Sequence, residues 1–216
     1  MTPTKLIMIG AGGHARVLLS ALGRAGLWPD ACVAREPPPD AWPASIAYLG
    51  SEDALTSLDR DSVRLVNGIG TVKTTTARRQ AFERAKALGF TFASVIDPAA
   101  FAVADAVIGE GAQLIAGAVI QTGSRIGANV IVNTRAVVDH DGIIGDHSHI
   151  ATGAALSGNV TLGRGVHVGT GAAIIHGIDI GDEAVVAAGA VVVRNVAART
   201  LVAGVPARAL KAMTPG

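Results

Sequence analysis

Residues 96–192 decide the fold, and in blocks of six they read IDPAAF AVADAV IGEGAQ LIAGAV IQTGSR IGANVI VNTRAV VDHDGI IGDHSH IATGAA LSGNVT LGRGVH VGTGAA IIHGID IGDEAV VAAGAV V. Every block begins with an aliphatic residue, from Ile96 to Val192, and its fifth place holds a small or apolar residue. A fixed six-residue period is typical of a parallel β-helix, in which each block forms one short strand and a corner. The aliphatic residue is expected to point into the core, and the small residue to fit where the chain turns.

Three blocks make one triangular coil, so residues 18 positions apart are expected to stack. Glycines recur at this spacing, at Gly109, Gly127, Gly145, Gly163 and Gly181. The alternative is an apolar, low-complexity β chain, but 17 consecutive aliphatic residues at one period do not arise by chance in a chain that is 50% hydrophobic. The stretch therefore predicts a three-sided prism of between five and six coils.

Composition excludes several classes of partner. The formal net charge is only +1, which gives no electrostatic reason to expect nucleic acid or an anionic membrane as a partner. A single cysteine, Cys32, excludes an internal disulfide and a cysteine metal cage. The apolar run that follows Lys5 is too short for a signal peptide or a membrane span, so we expect a cytoplasmic protein.

Residues 1–95 are predicted to form an α/β domain, and residues 96–216 are predicted to form the prism with a short C-terminal cap. Strands are predicted at 6–9, 31–34, 63–66 and 90–95 and a loop at 36–50. Helices are predicted from residue 15 to near Gly23 or Gly26 and at 75–88. Strand–helix alternation predicts a small Rossmann-like parallel sheet with helices on its faces. Residues 207–213 are predicted to form a short helix that caps the open end of the prism.

Two glycine turns mark the expected ligand end of this sheet. Gly10-Ala11-Gly12-Gly13-His14 follows the first strand and precedes a helix, a context that favours phosphate binding by backbone N–H groups. The turn suits a nicotinamide cofactor or a nucleotide-sugar diphosphate, or serves only as a tight turn. Gly68-Ile69-Gly70 follows the third predicted strand. Helix 75–88 contains four basic residues, Arg78, Arg79, Arg84 and Lys86. They are predicted to form a solvated face, except for one arginine expected near this second turn.

Five of the six histidines fall in the prism, and none occupies an inward position. His140 stands between Asp139 and Asp141, and carboxylates beside an imidazole fix its tautomer and make it a better base. His149 and His167 are 18 apart and should be rungs of one ladder. His140 and His176 are 36 apart, a spacing seen at the zinc site of hexapeptide-type carbonic anhydrases. The third histidine of that site would fall at Gly181, so no metal is expected.

The chain resembles the bacterial sugar acetyltransferases of the sialic-acid O-acetyltransferase and bacillosamine or perosamine N-acetyltransferase type. The resemblance rests on motifs that follow in the family's order: Gly10–His14, Gly68–Gly70, Asn133-Thr134, Asp139-His140-Asp141 and Gly204-Val205-Pro206-Ala207. It implies a homotrimer of left-handed β-helices. It also implies that acetyl-CoA, the co-substrate, lies between neighbouring prisms and that the N-terminal domain holds a nucleotide-linked amino sugar.

The resemblance also assigns roles to residues. His140 matches the catalytic histidine and Asp141 the acidic residue that raises its basicity. His149, Thr170 and Ala188 match coenzyme positions, and Gly12, Gly13, His14 and Gly70 match sugar-nucleotide positions. Where the family has a paired acidic motif near the nucleotide, this chain has Ala34-Arg35-Glu36, so the carrier stays open between UDP and GDP.

The expected reaction is N-acetylation of a nucleotide-linked 4-amino-6-deoxy sugar by direct transfer from acetyl-CoA, with His140 as general base. One alternative is O-acetylation of a sialic acid or a related sugar. Another is a nicotinamide or nucleotide sensor on a trimerising prism, in which Asp30 or Glu36 would contact the ribose.

Overall fold

The computed structural model describes residues 4–71 and 74–212. The first part of the chain forms a five-stranded parallel sheet in the order β3-β2-β1-β4-β5. Its strands are β1 Lys5–Ile9, β2 Ala31–Val33, β3 Ala47–Tyr48, β4 Val63–Asn67 and β5 Thr91–Phe92. Its helices are α1 Gly13–Arg24, α2 Thr76–Ala87 and a 3-10 helix at Glu52–Ser57.

Alternating side chains of β1 supply two separate cores, one on each face of the sheet. Ile7 and Ile9 pack with Phe82 of α2, and Met8 packs with Leu18 of α1. All four aliphatic side chains and Phe82 are buried. This is the predicted α/β layering, with one helix against each face of a parallel sheet.

Two details of the N-terminal prediction were wrong. Strand β3 lies inside the stretch predicted as a loop, where it pairs with β2 as an edge strand of two residues. The predicted strand 90–95 is divided, since Thr91–Phe92 joins the sheet and Val95–Ile96 joins the prism. Phe92 packs into the core beneath α2 and Val95 into the core beneath α1, so the chain changes layers between them.

The prism has three faces of stacked parallel strands. The first face contains Val95–Ile96, Gln113–Leu114, Ile131–Val132, His149–Ile150, His167–Val168, Val185–Val186, Thr200–Ala203 and Arg208–Ala212. The second contains Phe101–Ala102, Val119–Ile120, Val137–Val138, Ala155–Leu156, Ala173–Ile174 and Val191–Val192. The third contains Val107–Ile108, Arg125–Ile126, Ile143–Ile144, Thr161–Leu162 and Asp179–Ile180. Every coil strand pairs with the strand 18 residues away, which confirms the predicted left-handed parallel β-helix.

The six-residue period places its aliphatic residues in one continuous core, as predicted. From Leu114 to Val192 these side chains are at most 2% exposed. Ile96 is 47% exposed, because the first coil has no coil beneath it. Glycines 18 apart allow the coils to approach closely at one corner. A Cβ atom on Gly145 would lie 2.5 Å from the carbonyl carbon of Gly163, closer than real Cβ contacts.

The predicted C-terminal helix was wrong. Residues 204–207 form a turn, and the strand Arg208–Ala212 then pairs antiparallel with Thr200–Ala203. The reversal at Gly204-Val205-Pro206 returns the chain to the edge of the first face, where free backbone groups favour a strand over a helix. Met213 lies outside the described residues. Within the described part of the chain, no helix is long and apolar enough to cross a membrane.

Candidate active site

A cavity of about 660 Å³ lies where the N-terminal domain meets the prism. Its walls include both glycine turns and one edge of the prism: Gly10, Gly12, Gly13, His14, Gly68, Ile69, Gly70, Thr71, Asn133, Thr134, His149 and Thr152. The predicted sugar-nucleotide residues Gly12, Gly13, His14 and Gly70 are thus brought together in one place. The cavity is also lined by His149, which was predicted to contact the coenzyme.

The start of α1 is open to a ligand. Gly12 is its N-cap residue, no side chain caps it, and its first turn contains no acidic residue. A Cβ atom on Gly12 or Gly13 would meet no other atom within 4 Å. These glycines are therefore not required by packing within the described chain. They leave the backbone N–H groups at the positive end of the helix accessible to an anion.

A second cavity, of about 430 Å³, adjoins the first at Gly10, Gly12 and Ile69. It lies at the carboxyl ends of β1, β2 and β4, where strand order reverses and ligands of parallel sheets commonly bind. Its other walls come from residues 34–37 and from α2, and they include Glu36 and Gln80. The two cavities together form one elongated site that passes over the glycine turn.

Arg78 organises the second glycine turn from within the domain interface. Its side chain is 1% exposed, and its Nη1 donates to the carbonyl oxygens of Asn67 at 2.7 Å and Ile69 at 2.9 Å. Its Nε donates to the carbonyl oxygen of Asn129 in the prism at 3.2 Å. Burial lowers the pKa of Arg78 to about 9. Arg78 is thus the expected arginine beside residues 68–70.

The expectation of a solvated face was wrong for Arg79, whose side chain is 17% exposed and lies 2.7 Å from a carboxylate oxygen of Glu183. Lys86 stays 37% exposed and lies 2.9 Å from Glu110. Both carboxylates belong to the prism. These ion pairs and Arg78 fasten α2 across the first face, so the histidines of that face are covered by the N-terminal domain.

His149 is held on both sides by hydrogen bonds. Its Nδ1 contacts the hydroxyl of Thr71, and its Nε2 lies 3.1 Å from the amide nitrogen of Asn133. Its ring also packs edge-on against that of His167, at 5.1 Å between centroids, which confirms the predicted ladder. Burial, and secondarily His167, lowers the pKa of His149 to about 2, so the ring is neutral at physiological pH.

His140 lies at a different edge of the prism, between the second and third faces. Its Nδ1 is 2.8 Å from Oδ2 of Asp141, and this hydrogen bond raises the pKa of His140. Its Nε2 points over Gly158, where a Cβ atom would lie only 2.2 Å away. The ring of His176 follows on the same edge, 6.0 Å from His140 between centroids. The missing side chain at Gly158 therefore makes the space that the imidazole occupies.

The predicted catalytic residues and two of the predicted coenzyme residues, Thr170 and Ala188, occupy two edges that flank the second face, whereas His149 lies on the first face. Thr134, Thr152, Thr170 and Ala188 are spaced by 18 residues along the edge between the first and second faces, and Thr170 and Ala188 are exposed. His140 and Asp141 occupy the next edge, beyond strand Val137–Val138. One chain by itself does not bring His140 to the large cavity.

No family model and no curated protein matches the chain. The acetyltransferase domain of PglB from Neisseria gonorrhoeae, solved with acetyl coenzyme A, is 35% identical with a TM-score of 0.86. That match covers 96% of this chain and 100% of the other. PerB from Caulobacter crescentus, solved with CoA and GDP-perosamine, is 34% identical over 96% of this chain and 97% of the other, with a TM-score of 0.87.

This chain belongs to the hexapeptide-repeat family of sugar N-acetyltransferases. The expected family and the expected enzyme class, an acetyltransferase, are thereby confirmed. WeeI from Acinetobacter baumannii, at 23% identity and a TM-score of 0.76, shares the fold. The alternative of a nucleotide sensor on an inert prism gains no support from these structures.

Sequence reasoning did not single out three residues that shape the site of this sugar acetyltransferase. Gln113 is fully buried, and its Oε1 lies 2.7 Å from Nε2 of His14. Thr71 contacts His149, and Asn129 joins the prism to Asn67. The available sequence signal for Gln113 was a polar residue at an outward strand position. Its role depends on the N-terminal domain, which covers this position and supplies its hydrogen-bond partners. Across residues 4–71 and 74–212, no group of three or more His, Cys, Asp or Glu side chains could hold a metal ion.

Proposed function

We propose that the enzyme transfers the acetyl group of acetyl-CoA to the amino group of a nucleotide-linked 4-amino-6-deoxy sugar. Two proteins at 34–35% identity support this substrate class, since one was solved with acetyl coenzyme A and the other with CoA and GDP-perosamine. The elongated site over the glycine turn suits such a substrate. The nucleoside fits the cavity at the strand ends, the diphosphate the start of α1, and the sugar the larger cavity.

The observation that carries the proposal is the hydrogen bond between His140 and Asp141. Asp141 accepts from Nδ1–H of His140, so the lone pair of the neutral ring is on Nε2, the atom that lies over Gly158. A positioned imidazole with a raised pKa suits removal of a proton from an amine as its nitrogen attacks the thioester. Asp141 stabilises the imidazolium that forms.

The reaction is a direct transfer. The sugar amine forms a C–N bond with the thioester carbonyl carbon, and His140 takes the amine proton. The C–S bond then breaks, and coenzyme A leaves as the thiol after the proton held by His140 passes to the thiolate. Donors that stabilise the developing oxyanion would be backbone N–H groups at the prism edge. General base catalysis of this kind contributes about 10²–10⁴-fold, and alignment of the two substrates supplies much of the remainder.

The active site is completed by a second copy in a homotrimer. The outward strand positions of the second face are all apolar: Phe101, Val119, Val137, Ala155, Ala173 and Val191. An apolar stripe of this length along a narrow prism favours burial against another copy. Packing around a three-fold axis would bring His140 of one subunit toward the sugar cavity and the Thr170–Ala188 edge of the next. Acetyl-CoA then lies in the groove between two prisms.

The proposal is tested with purified protein, acetyl-CoA and amino sugars carried on UDP or GDP. Release of coenzyme A and one added acetyl group on the sugar amine are expected with one of these carriers. His140→Ala should lose most turnover while still binding acetyl-CoA, and light scattering should give three times the chain mass. Wild-type turnover by the His140 variant would exclude the proposed base. Acetylation of a sialic acid hydroxyl, with amino sugars left unmodified, would favour the O-acetyltransferase alternative.

A further inference from the structure

Gln113 fixes the direction of one hydrogen bond in the sugar cavity. Its Nε2 donates to the carbonyl oxygen of Asn67 at 2.8 Å, and its Oε1 lies 2.7 Å from Nε2 of His14. A backbone carbonyl only accepts, so the amide of Gln113 must turn its NH₂ toward Asn67. Its Oε1 is therefore the acceptor toward the histidine, and Nε2 of His14 carries the proton.

The carbonyl that orients Gln113 is itself held in place. It accepts a second hydrogen bond, from Nη1 of Arg78 at 2.7 Å. The side chain of Asn67 donates to the carbonyl oxygen of Arg78 at 3.0 Å and lies 3.1 Å from Oδ1 of Asn129. Because every member of this chain of contacts is buried, the amide of Gln113 cannot reverse without leaving buried groups unpaired.

The other ring nitrogen of His14 is Nδ1. Among the described residues Nδ1 has no hydrogen-bond partner, and His14 lines the large cavity between Gly13 and Gly70. Burial, followed by the charge of Arg78, lowers the pKa of His14 to about 4. At physiological pH the ring is neutral; its donor is engaged by Gln113, and no described residue uses its acceptor.

We propose that Gln113 is a positioning residue that holds His14 as the Nε2–H tautomer, so that Nδ1 accepts a hydrogen bond from a hydroxyl or amino group of the sugar. The inference rests on the proposed function and names what this histidine recognises. Phosphate oxygens accept hydrogen bonds at neutral pH, so a lone pair on Nδ1 cannot bind them. The diphosphate is left to the N–H groups at the start of α1, and His14 selects sugars that present a donor.

Two substitutions of His14 distinguish a role in recognising the sugar from a role only in joining the domains. His14→Asn places an amide oxygen near the position of Nδ1 and gives up the contact with Gln113. His14→Gln reaches Gln113 and gives up the acceptor at Nδ1. The expected KM for the amino-sugar nucleotide is roughly tenfold higher in His14→Gln than in His14→Asn, since one hydrogen bond is worth up to about 1.5 kcal/mol. The KM for acetyl-CoA should be equal in the two variants.

If His14 served only to join the domains, the order of the two variants would be reversed, because His14→Gln retains the contact with Gln113. That order, or equal KM values, overturns the proposal. Calorimetry gives a second comparison, with UDP or GDP chosen as the carrier that supports turnover in the wild type. The His14→Gln variant should bind the free nucleoside diphosphate as wild type does and the corresponding amino-sugar nucleotide more weakly. An equal loss for both ligands would assign the contact to the nucleotide and overturn the proposal.

The tautomer is measured independently of turnover by ¹⁵N NMR of the full chain with labelled histidines, with the His14 signals assigned through the His14→Gln variant. At pH 7.5 the proton is expected on Nε2, and in Gln113→Leu its population on Nε2 should fall. A proton on Nδ1, or a doubly protonated ring, in the wild type overturns the proposal. Since this measurement needs no substrate, failure of the proposed reaction would not be mistaken for failure of the tautomer assignment.

Discussion

Gly158 lies beneath the imidazole of His140, and replacing it with alanine tests whether ring position controls turnover. The added Cβ atom would lie 2.2 Å from Nε2, 2.4 Å from Cε1 and 2.7 Å from Cδ2 of His140. Ordinary contact begins near 3.4 Å, so the ring must move by more than about 1 Å. The side chain of His140 is 45% exposed and can swing outward, and Gly158 does not have a positive φ. The fold should therefore accept alanine.

The Gly158→Ala substitution is expected to lower the rate of catalysis. A shift of about 1 Å at a reacting group can cost about 10²-fold, and loss of the general base sets a limit of about 10⁴-fold. We expect kcat of Gly158→Ala to fall about 100-fold, with the melting temperature and the KM for acetyl-CoA close to wild type. The assay follows coenzyme A release with a thiol reagent at saturating substrates.

A double-mutant cycle provides the matched control. In a His140→Ala background the alanine at 158 has no ring to displace, so the second substitution should change kcat by less than about twofold. A Gly158→Ala enzyme with wild-type turnover would refute the reasoning. So would an equal loss in the His140→Ala background, because the glycine would then act on something other than the imidazole.

Three further predictions concern protons and buried charge. Asp141→Asn removes the partner that raises the pKa of His140. The acid limb of the pH profile of kcat/KM should therefore move to lower pH, and its maximum should fall. An unmoved limb would contradict the pairing of His140 with Asp141. The pKa values of His14 and His149 are lowered by burial to about 4 and about 2, so below pH 6.5 the unfolded chain binds protons that the folded chain does not. Stability should fall by about 2–3 kcal/mol for each as pH drops from 7.5 to 4.5, seen as a lower urea midpoint at fixed protein concentration, and His149→Gln should show a smaller drop. Arg78→Met leaves the carbonyl oxygens of Ile69 and Asn129 without a donor and removes one of the two donors to that of Asn67. It should lower the free energy of unfolding by about 3 kcal/mol, with a raised KM for the sugar nucleotide; unchanged unfolding would exclude this anchoring role.

The prism could be predicted because its sequence pattern is local and repeats every six residues. One aliphatic residue per block is enough to fix the inward direction, and 18-residue spacing fixes the neighbour of every strand. The same spacing predicted that His149 and His167 would stack. The C-terminal strand was not predictable in this way, because its pairing with Thr200–Ala203 depends on a reversal at residues 204–207 and carries no period.

The candidate site was only partly predictable. Gly12, Gly13, His14 and Gly70 were placed correctly in one cavity, since the carboxyl ends of parallel strands meet at one edge. The burial of His149 was not foreseen, because its position is outward with respect to the prism and becomes interior only when the N-terminal domain covers the first face. Such contacts join residues 78 positions apart, as between Thr71 and His149, and no local pattern encodes them.

The triangular cross-section also constrains how the length of this chain can change. Deleting a single block of six from the coils would keep an aliphatic residue at every inward position, so the hydrophobic core would still close. Every residue beyond the deletion would nevertheless rotate by one third of a turn about the prism axis. The side chains that contact the sugar, the coenzyme and the adjoining subunit would then lie on the wrong faces of the prism. Viable insertions and deletions within the coils should therefore come as whole turns, and a six-residue change should yield a protein that folds but does not catalyse.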